Sequence, residues 1–160
     1  MTQAYLILAG RIRKDLDELE RLVTRVERAL EIACKRPEES DFLIDSIALN
    51  LHGVYSGLER LFQQIAAIVD DSVPSGKEWH RELLEQMSIN VIGVRPPVIS
   101  ENTSQILDEF LRFRHVVRNV YTLSLDGERI IKLVQQLRPV FTRVNNELIS
   151  FADFLEHVGS

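Results

Sequence analysis

Between residues 112 and 121 the chain reads Arg112-Phe113-Arg114-His115-Val116-Val117-Arg118-Asn119-Val120-Tyr121. Arg112, Arg114 and Arg118 carry fixed positive charge. His115 is an imidazole that titrates near neutrality, Asn119 can orient or donate, and Tyr121 offers a phenolic hydroxyl. No acidic residue falls between Phe110 and Leu125, although the chain as a whole has a formal net charge of -5. A cationic, hydrogen-bonding cluster on an acidic chain points to an anion site. Guanidinium groups pair bidentately with phosphate, so the chemistry within reach is holding a phosphate and stabilising charge that develops on it.

Placed on a helix at about 100° per residue, the cluster resolves into two stripes. Arg114, Arg118 and Tyr121 are spaced i, i+4, i+7 and flank the core side. Arg112, His115 and Asn119 form a second stripe roughly opposite the core. In a monomer the second stripe would face water; a dimer formed through this region would bring both stripes to one cleft. Arginines at this spacing commonly form a solvated face or pair with acids on neighbouring helices. Here, however, Arg114 and Arg118 repel one another, and Phe110 and Thr122 at the i-4 and i+4 positions give no relief. Beside the solvated face, that repulsion favours an anionic ligand or an acid from elsewhere.

Helices must position the cluster. Three segments keep one apolar stripe at helical spacing for five turns or more. The first runs Ile12, Leu16, Leu19, Val23, Val26, Leu30, Ala33. The second runs Ile47, Leu51, Val54, Leu58, Leu61, Ile65, Ile68. The last runs Ile130, Val134, Leu137, Phe141, Val144, Leu148, Phe151, Leu155. Pro37 stops the first helix by about residue 35, and Ser40 or Asp41 is placed to cap the second. Asp70-Asp71 and Pro74-Ser75-Gly76 end the second, although two acids at a helix C-terminus oppose the dipole. Ser75 is placed to cap a short helix through about Ser88. Gly93 and Pro96-Pro97 make the longest irregular connection. Ser100 then starts a helix with inner stripe Ile106, Phe110, Phe113, Val117, Val120, and Asp126-Gly127 breaks it. Pro139 should kink the last helix without ending it. No strand alternation competes. The expected fold is all-α: an antiparallel bundle of four long helices plus one short helix, with residues 1–160 forming a single domain.

Composition narrows the function classes. With 45% hydrophobic and 27% charged residues and few Gly and Pro, the chain is an ordinary globular domain rather than a disordered one. A general nucleic-acid coat would be basic throughout, which this chain is not. The single cysteine, Cys34, cannot form an internal disulfide and suits a reducing compartment; at a helix end it reads as a partly buried, inert thiol. No run approaches the roughly 18 apolar residues that span a membrane, and the N-terminal order of residues is unlike a signal peptide. These features point to the cytoplasm and to no membrane partner. His52, His80 and His157 do not stand at metal-ligand spacing, and no phosphate loop, nucleophile elbow or paired-carboxylate signature is present, so no metal and no cofactor are expected. His80 beside Trp79 reads as a helix-start residue with a structural hydrogen bond.

A long-helix bundle with an arginine-rich motif late in the chain resembles the HEPN superfamily, and more narrowly the HepT-like proteins, the toxin half of HepT/MntA toxin–antitoxin modules. The resemblance covers essentially the whole chain and includes Trp79-His80-Arg81-Glu82-Leu83-Leu84. It implies a metal-independent endoribonuclease that acts as a homodimer, with the motif lining the interface cleft. It also implies a partner nucleotidyltransferase antitoxin that transfers AMP to the motif tyrosine. The family motif is an arginine, a polar residue, three variable residues, a histidine, one variable residue and a tyrosine. On this sequence the arginine falls on Arg114, the polar residue on His115 and the tyrosine on Tyr121, while the histidine position is Asn119.

The resemblance therefore implies catalytic roles for Arg114, His115 and Asn119, RNA binding by Arg112 and Arg118, and modification of Tyr121. Asn119 cannot exchange a proton. His115, one helical turn upstream on a similar face, is the alternative proton carrier. Two further readings stay open. The domain can be a non-catalytic module that binds a nucleotidyltransferase or nucleic acid, or a structural helical partner whose arginines meet acids of another chain.

Overall fold

The computed structural model describes the backbone of residues 2–118 and 127–160, and the side chains of residues 2–113 and 128–160. The helices are α1 (Thr2–Lys35), α2 (Ser40–Ile65), α3 (Trp79–Ser88), α4 (Glu101–Arg118) and α5 (Gly127–Gly159). The fold is all-α, as the periodicity requires. Within the described residues the sole strand-like pairing is an isolated bridge between Val91 and Arg95. No described helix is long and apolar enough to cross a membrane.

Most of the predicted stripe positions form the core, while Leu30, Ala33, Ile68 and Ile106 are only half-buried and Val117 and Val120 lie outside the described side chains. Ile12, Leu16, Leu19, Val23 and Val26 of α1 are buried, as are Ile47 through Ile65 of the α2 stripe and every member of the α5 stripe. Each such aliphatic or aromatic side chain contributes about 1.5–3 kcal/mol when fully removed from water. Among the described side chains of α4 the buried apolar residues are Leu107, Phe110, Leu111 and Phe113. Leu107 and Leu111 widen the stripe expected from sequence, because α4 is packed against α2, α3 and α5 and so has more than one inward side.

Ion pairs fix the directions of the long helices. Arg13 of α1 donates from Nε to Glu156 at 2.9 Å and from Nη2 to Asp153 at 2.5 Å. Further along α1, Glu20 and Glu27 accept from Arg138, at 2.7 Å and 2.5 Å respectively. Residue numbers rise on α1 as they fall on α5, so the two helices are antiparallel. The hydrogen bonds to Glu27 and Glu20 raise the already high pKa of Arg138, which keeps it charged throughout the folded range. Gly57 of α2 lies against Leu19 of α1: a Cβ built at Gly57 would come within 2.5 Å of the Leu19 Cδ2. The missing side chain is what lets these two helices approach so closely.

Two caps differ from the sequence reading. Ser40 is already helical, because the 3₁₀ turn Pro37–Glu39 runs straight into α2 and the Ser40 amide donates to the Pro37 carbonyl. Ser75 does not cap α3 either: a turn in which the Trp79 amide donates to the Gly76 carbonyl delays the helix to Trp79. Ser100 does cap α4. Its Oγ accepts the Thr103 amide at 3.1 Å, and Glu147 of α5 accepts from the Ser100 amide and from Thr103 Oγ1. That network ties the start of α4 to α5. The last helix runs through Pro139 to Gly159. Cys34 is exposed rather than partly buried, since it lies one residue beyond Ala33 and so off the inward stripe.

The acids at the end of α2 have a structural explanation. α2 closes in a π-helical turn, Ala66–Asp70, followed by Asp71 in the left-handed region at φ 51°. Asp70 accepts from Arg95 Nε at 2.6 Å and Nη2 at 2.8 Å. The Arg95 side chain is fully buried, and its other donors reach the carbonyls of Gln86, Ile89 and Pro96. This buried pair outweighs the unfavourable helix-end position of Asp70 and pins the connection between α3 and α4.

Candidate functional site on the face shared by α3 and α4

α4 carries the cluster because its inward residues leave the intervening positions free for charge. Arg112 and Arg118 are residues of this helix, as are Arg114 and His115. Asn119 and Tyr121 lie outside the described residues, and the side chains of Arg114, His115 and Arg118 are likewise outside them. The member whose side chain is described is Arg112.

Arg112 is exposed and pairs across one turn with Asp108, Nη2 to Oδ2 at 3.0 Å. The i, i+4 spacing of acid then base was legible in the sequence, but attention to the acid-free stretch from Phe110 onward passed over it. Asp108 also faces Arg81 of α3, whose Nε lies 3.7 Å from Oδ1. One carboxylate thus draws an arginine of α3 and an arginine of α4 to the same edge. Beside them is a cleft of about 80 Å³ lined by Lys77, Glu78, His80, Arg81, Leu111 and Arg112.

Below the cleft is a pair that sequence reasoning did not assemble. His80 Nδ1 is 2.7 Å from Glu59 Oε2 of α2, and both side chains are buried. The structural hydrogen bond expected of His80 is present; its partner, 21 positions away, carries no local signal. The Trp79 ring lies beside the imidazole with centroids 3.5 Å apart. A carboxylate only accepts, so the contact has Nδ1–H donating to Glu59, which fixes both the orientation of the ring and the nitrogen that carries the proton. Among the described residues no group of three or more His, Cys, Asp or Glu is placed to hold a metal ion.

The family model described as HepT-like protein matches residues 46–155, more than half of the chain. The chain belongs to the HepT-like family of the HEPN superfamily. The matched span contains the whole cluster from Arg112 to Tyr121, together with Glu59, His80, Arg81 and Arg95, while α1 lies before it. No curated protein and no solved structure matches the chain. Four of the described arginines of this HepT-like chain show two kinds of setting. Arg95 and Arg138 are tied to acids within the fold, whereas Arg81 and Arg112 share Asp108 at the edge of an open cleft.

Proposed function

We propose that the protein is the toxin of a two-component module: a metal-independent endoribonuclease acting on RNA, tRNA included, and held in check by an MntA-like nucleotidyltransferase antitoxin that adenylylates Tyr121. The observation that carries this reading is the HepT-like match across residues 46–155; the span includes Arg114, His115 and Tyr121, which the resemblance to the family motif aligns with its arginine, polar and tyrosine positions. The whole chain acts as one domain, and two copies form a homodimer that brings the motif helices to a shared cleft.

Cleavage proceeds by attack of the ribose 2′-oxygen on the adjacent phosphorus. His115 takes the 2′-hydroxyl proton as the new P–O bond forms, and the bond from phosphorus to the 5′-oxygen breaks. The leaving 5′-oxygen takes a proton from water while His115 gives its own back to solvent, leaving a 2′,3′-cyclic phosphate and a 5′-hydroxyl. Arg114 and Arg118 stabilise the charge on the pentacoordinate phosphate, Arg112 holds the strand, and Asn119 orients it by hydrogen bonding. AMP on Tyr121 would place a phosphate among these arginines and block them.

One observation favours a second reading, a non-catalytic module that binds a nucleotidyltransferase or nucleic acid: Asn119 stands where the family motif has histidine. The test separates the two. Purified protein is incubated with total RNA and with tRNA, without added metal, beside His115→Ala and Arg114→Ala. Cleavage by the wild type that disappears in both variants is the expected result. Intact RNA in every lane, from protein shown by mass to lack AMP, would overturn the enzyme in favour of the binding module.

A further inference from the structure

The geometry points to a phosphate-binding subsite in the cleft between the N-terminus of α3 and the midpoint of α4, where Lys77 and Arg81 join Arg112, the first residue of the motif cluster. Three cations line the cleft, Lys77, Arg81 and Arg112, against one acid, Glu78. Two of these cations already share a carboxylate: Arg81 and Arg112 lie 3.7 Å and 3.0 Å from Asp108. An oxyanion is thus what this pair of side chains is arranged to bracket, and Asp108 engages only part of the hydrogen-bonding capacity of two guanidinium groups with five N–H donors each. Asp108 does not line this cleft; a second groove contains it together with Arg81, Arg112, Glu85 and Glu109. The cleft proper is closed below by Leu111 and by His80, whose ring is held by Glu59. His80 and Arg81 stand in the first turn of α3, so the positive end of that helix dipole adds to the field. At about 80 Å³ the cleft has room for a phosphate group.

The ligand class is a phosphate group, supplied either by an RNA strand whose reacting phosphate lies at the motif or by a free nucleotide. In its RNA form the inference rests on the function proposed above: Arg112 begins the motif cluster, so a strand lying along α4 would pass from the motif to this cleft. Lys77 and Arg81 would then read the backbone one or more nucleotides away from the scissile bond. They carry no sequence information and serve to position the strand.

The test measures binding apart from cleavage. A fluorescent single-stranded RNA with 2′-O-methyl groups, which cannot be cleaved by 2′-oxygen attack, is titrated by anisotropy over a salt series. A parallel calorimetric titration uses AMP. The variants are Lys77→Gln/Arg81→Gln and, as a charge-preserving control, Arg81→Lys; both positions are exposed, and circular dichroism checks the fold. The double variant is expected to bind the oligonucleotide about tenfold more weakly, or about 1.4 kcal/mol. Its salt dependence should be shallower by about 0.7 in the log–log slope, the value for one phosphate contact on a single strand. Arg81→Lys should keep the wild-type slope. Loss of AMP binding with unchanged oligonucleotide binding would assign the same subsite to a nucleotide. Wild-type affinity and slope for both ligands in the double variant would overturn the subsite. If the wild type cleaves RNA and the double variant binds and cleaves like it, the subsite fails while the enzyme stands. If no RNA is cleaved but the double variant loses oligonucleotide binding, the enzyme reading fails and the subsite stands.

Discussion

Arg95, in the connection between α3 and α4, and Arg112, within α4, both meet an aspartate at hydrogen-bonding distance. Their surroundings make them different objects. The Arg95 side chain is 0% exposed and Asp70 5%, and the remaining donors of Arg95 end on three backbone carbonyls. The Arg112 side chain is 65% exposed and shares its aspartate with Arg81. A buried, saturated guanidinium is committed to the fold, because any new ligand would first have to displace hydrogen bonds that water cannot replace. An exposed guanidinium on a shared carboxylate has spare donors and a low cost of rearrangement. Only the second kind is available for recognition, and charge counted along the sequence does not tell them apart.

The strongest test of that contrast removes Arg95. Arg95→Ala should destabilise the protein by about 3–5 kcal/mol in chemical denaturation, because Asp70 is left buried without a counter-charge. Replacing both partners, Arg95→Met with Asp70→Leu, should recover most of that loss. If the single change costs no more than a surface substitution, the committed class is misassigned. Next in size is the buried pair beneath the cleft. Glu59→Ala should cost about 1.5–3 kcal/mol, the range for a hydrogen bond to a charged group, read from the denaturation midpoint.

Arg138 tests the middle of the range. It joins Glu20 and Glu27 across the α1–α5 seam, but its side chain is 35% exposed and those of the acids are 47% and 40%. With that much water, Arg138→Ala should cost only about 0.5–1 kcal/mol, and less at high salt. A larger, salt-insensitive loss would show that the aliphatic stem, not the ion pair, holds the seam. The smallest expected effect on stability is at the cleft. Arg112→Ala should change the unfolding free energy by under about 0.5 kcal/mol. The same variant should weaken RNA binding, which makes it the counterpart of Arg95→Ala: little effect on folding and a measurable effect on recognition.

The helices were legible in the sequence because burial leaves a period. The stripes Ile12–Val26, Ile47–Ile65 and Ile130–Leu155 turned out buried residue by residue, and Ser100 capped α4 as its position before an apolar run suggested. The caps at Ser40 and Ser75 were not legible. A serine near a helix start is equally compatible with a preceding turn, and in both places the turn supplies the backbone acceptor. At the candidate site, the Asp108–Arg112 pair follows from spacing on one helix and was readable. Arg81 joining that pair, and Glu59 meeting His80, depend on how α2, α3 and α4 pack.

The sequence by itself determined the all-α class, the inward side of the three long stripes, the concentration of cationic and hydrogen-bonding residues at 112–121 and, through its match to the family model, HepT-like membership. These are properties of periodicity, composition and local order, which each segment carries whatever its neighbours do. Only the tertiary structure decided which charges are spent. It buried Arg95 on Asp70, set Arg138 between two acids of α1, and left Arg81 and Arg112 on one carboxylate beside an open cleft. The reason is physical: the strength and availability of a charge are set by the water and the partners around it, and helices distant in sequence supply both.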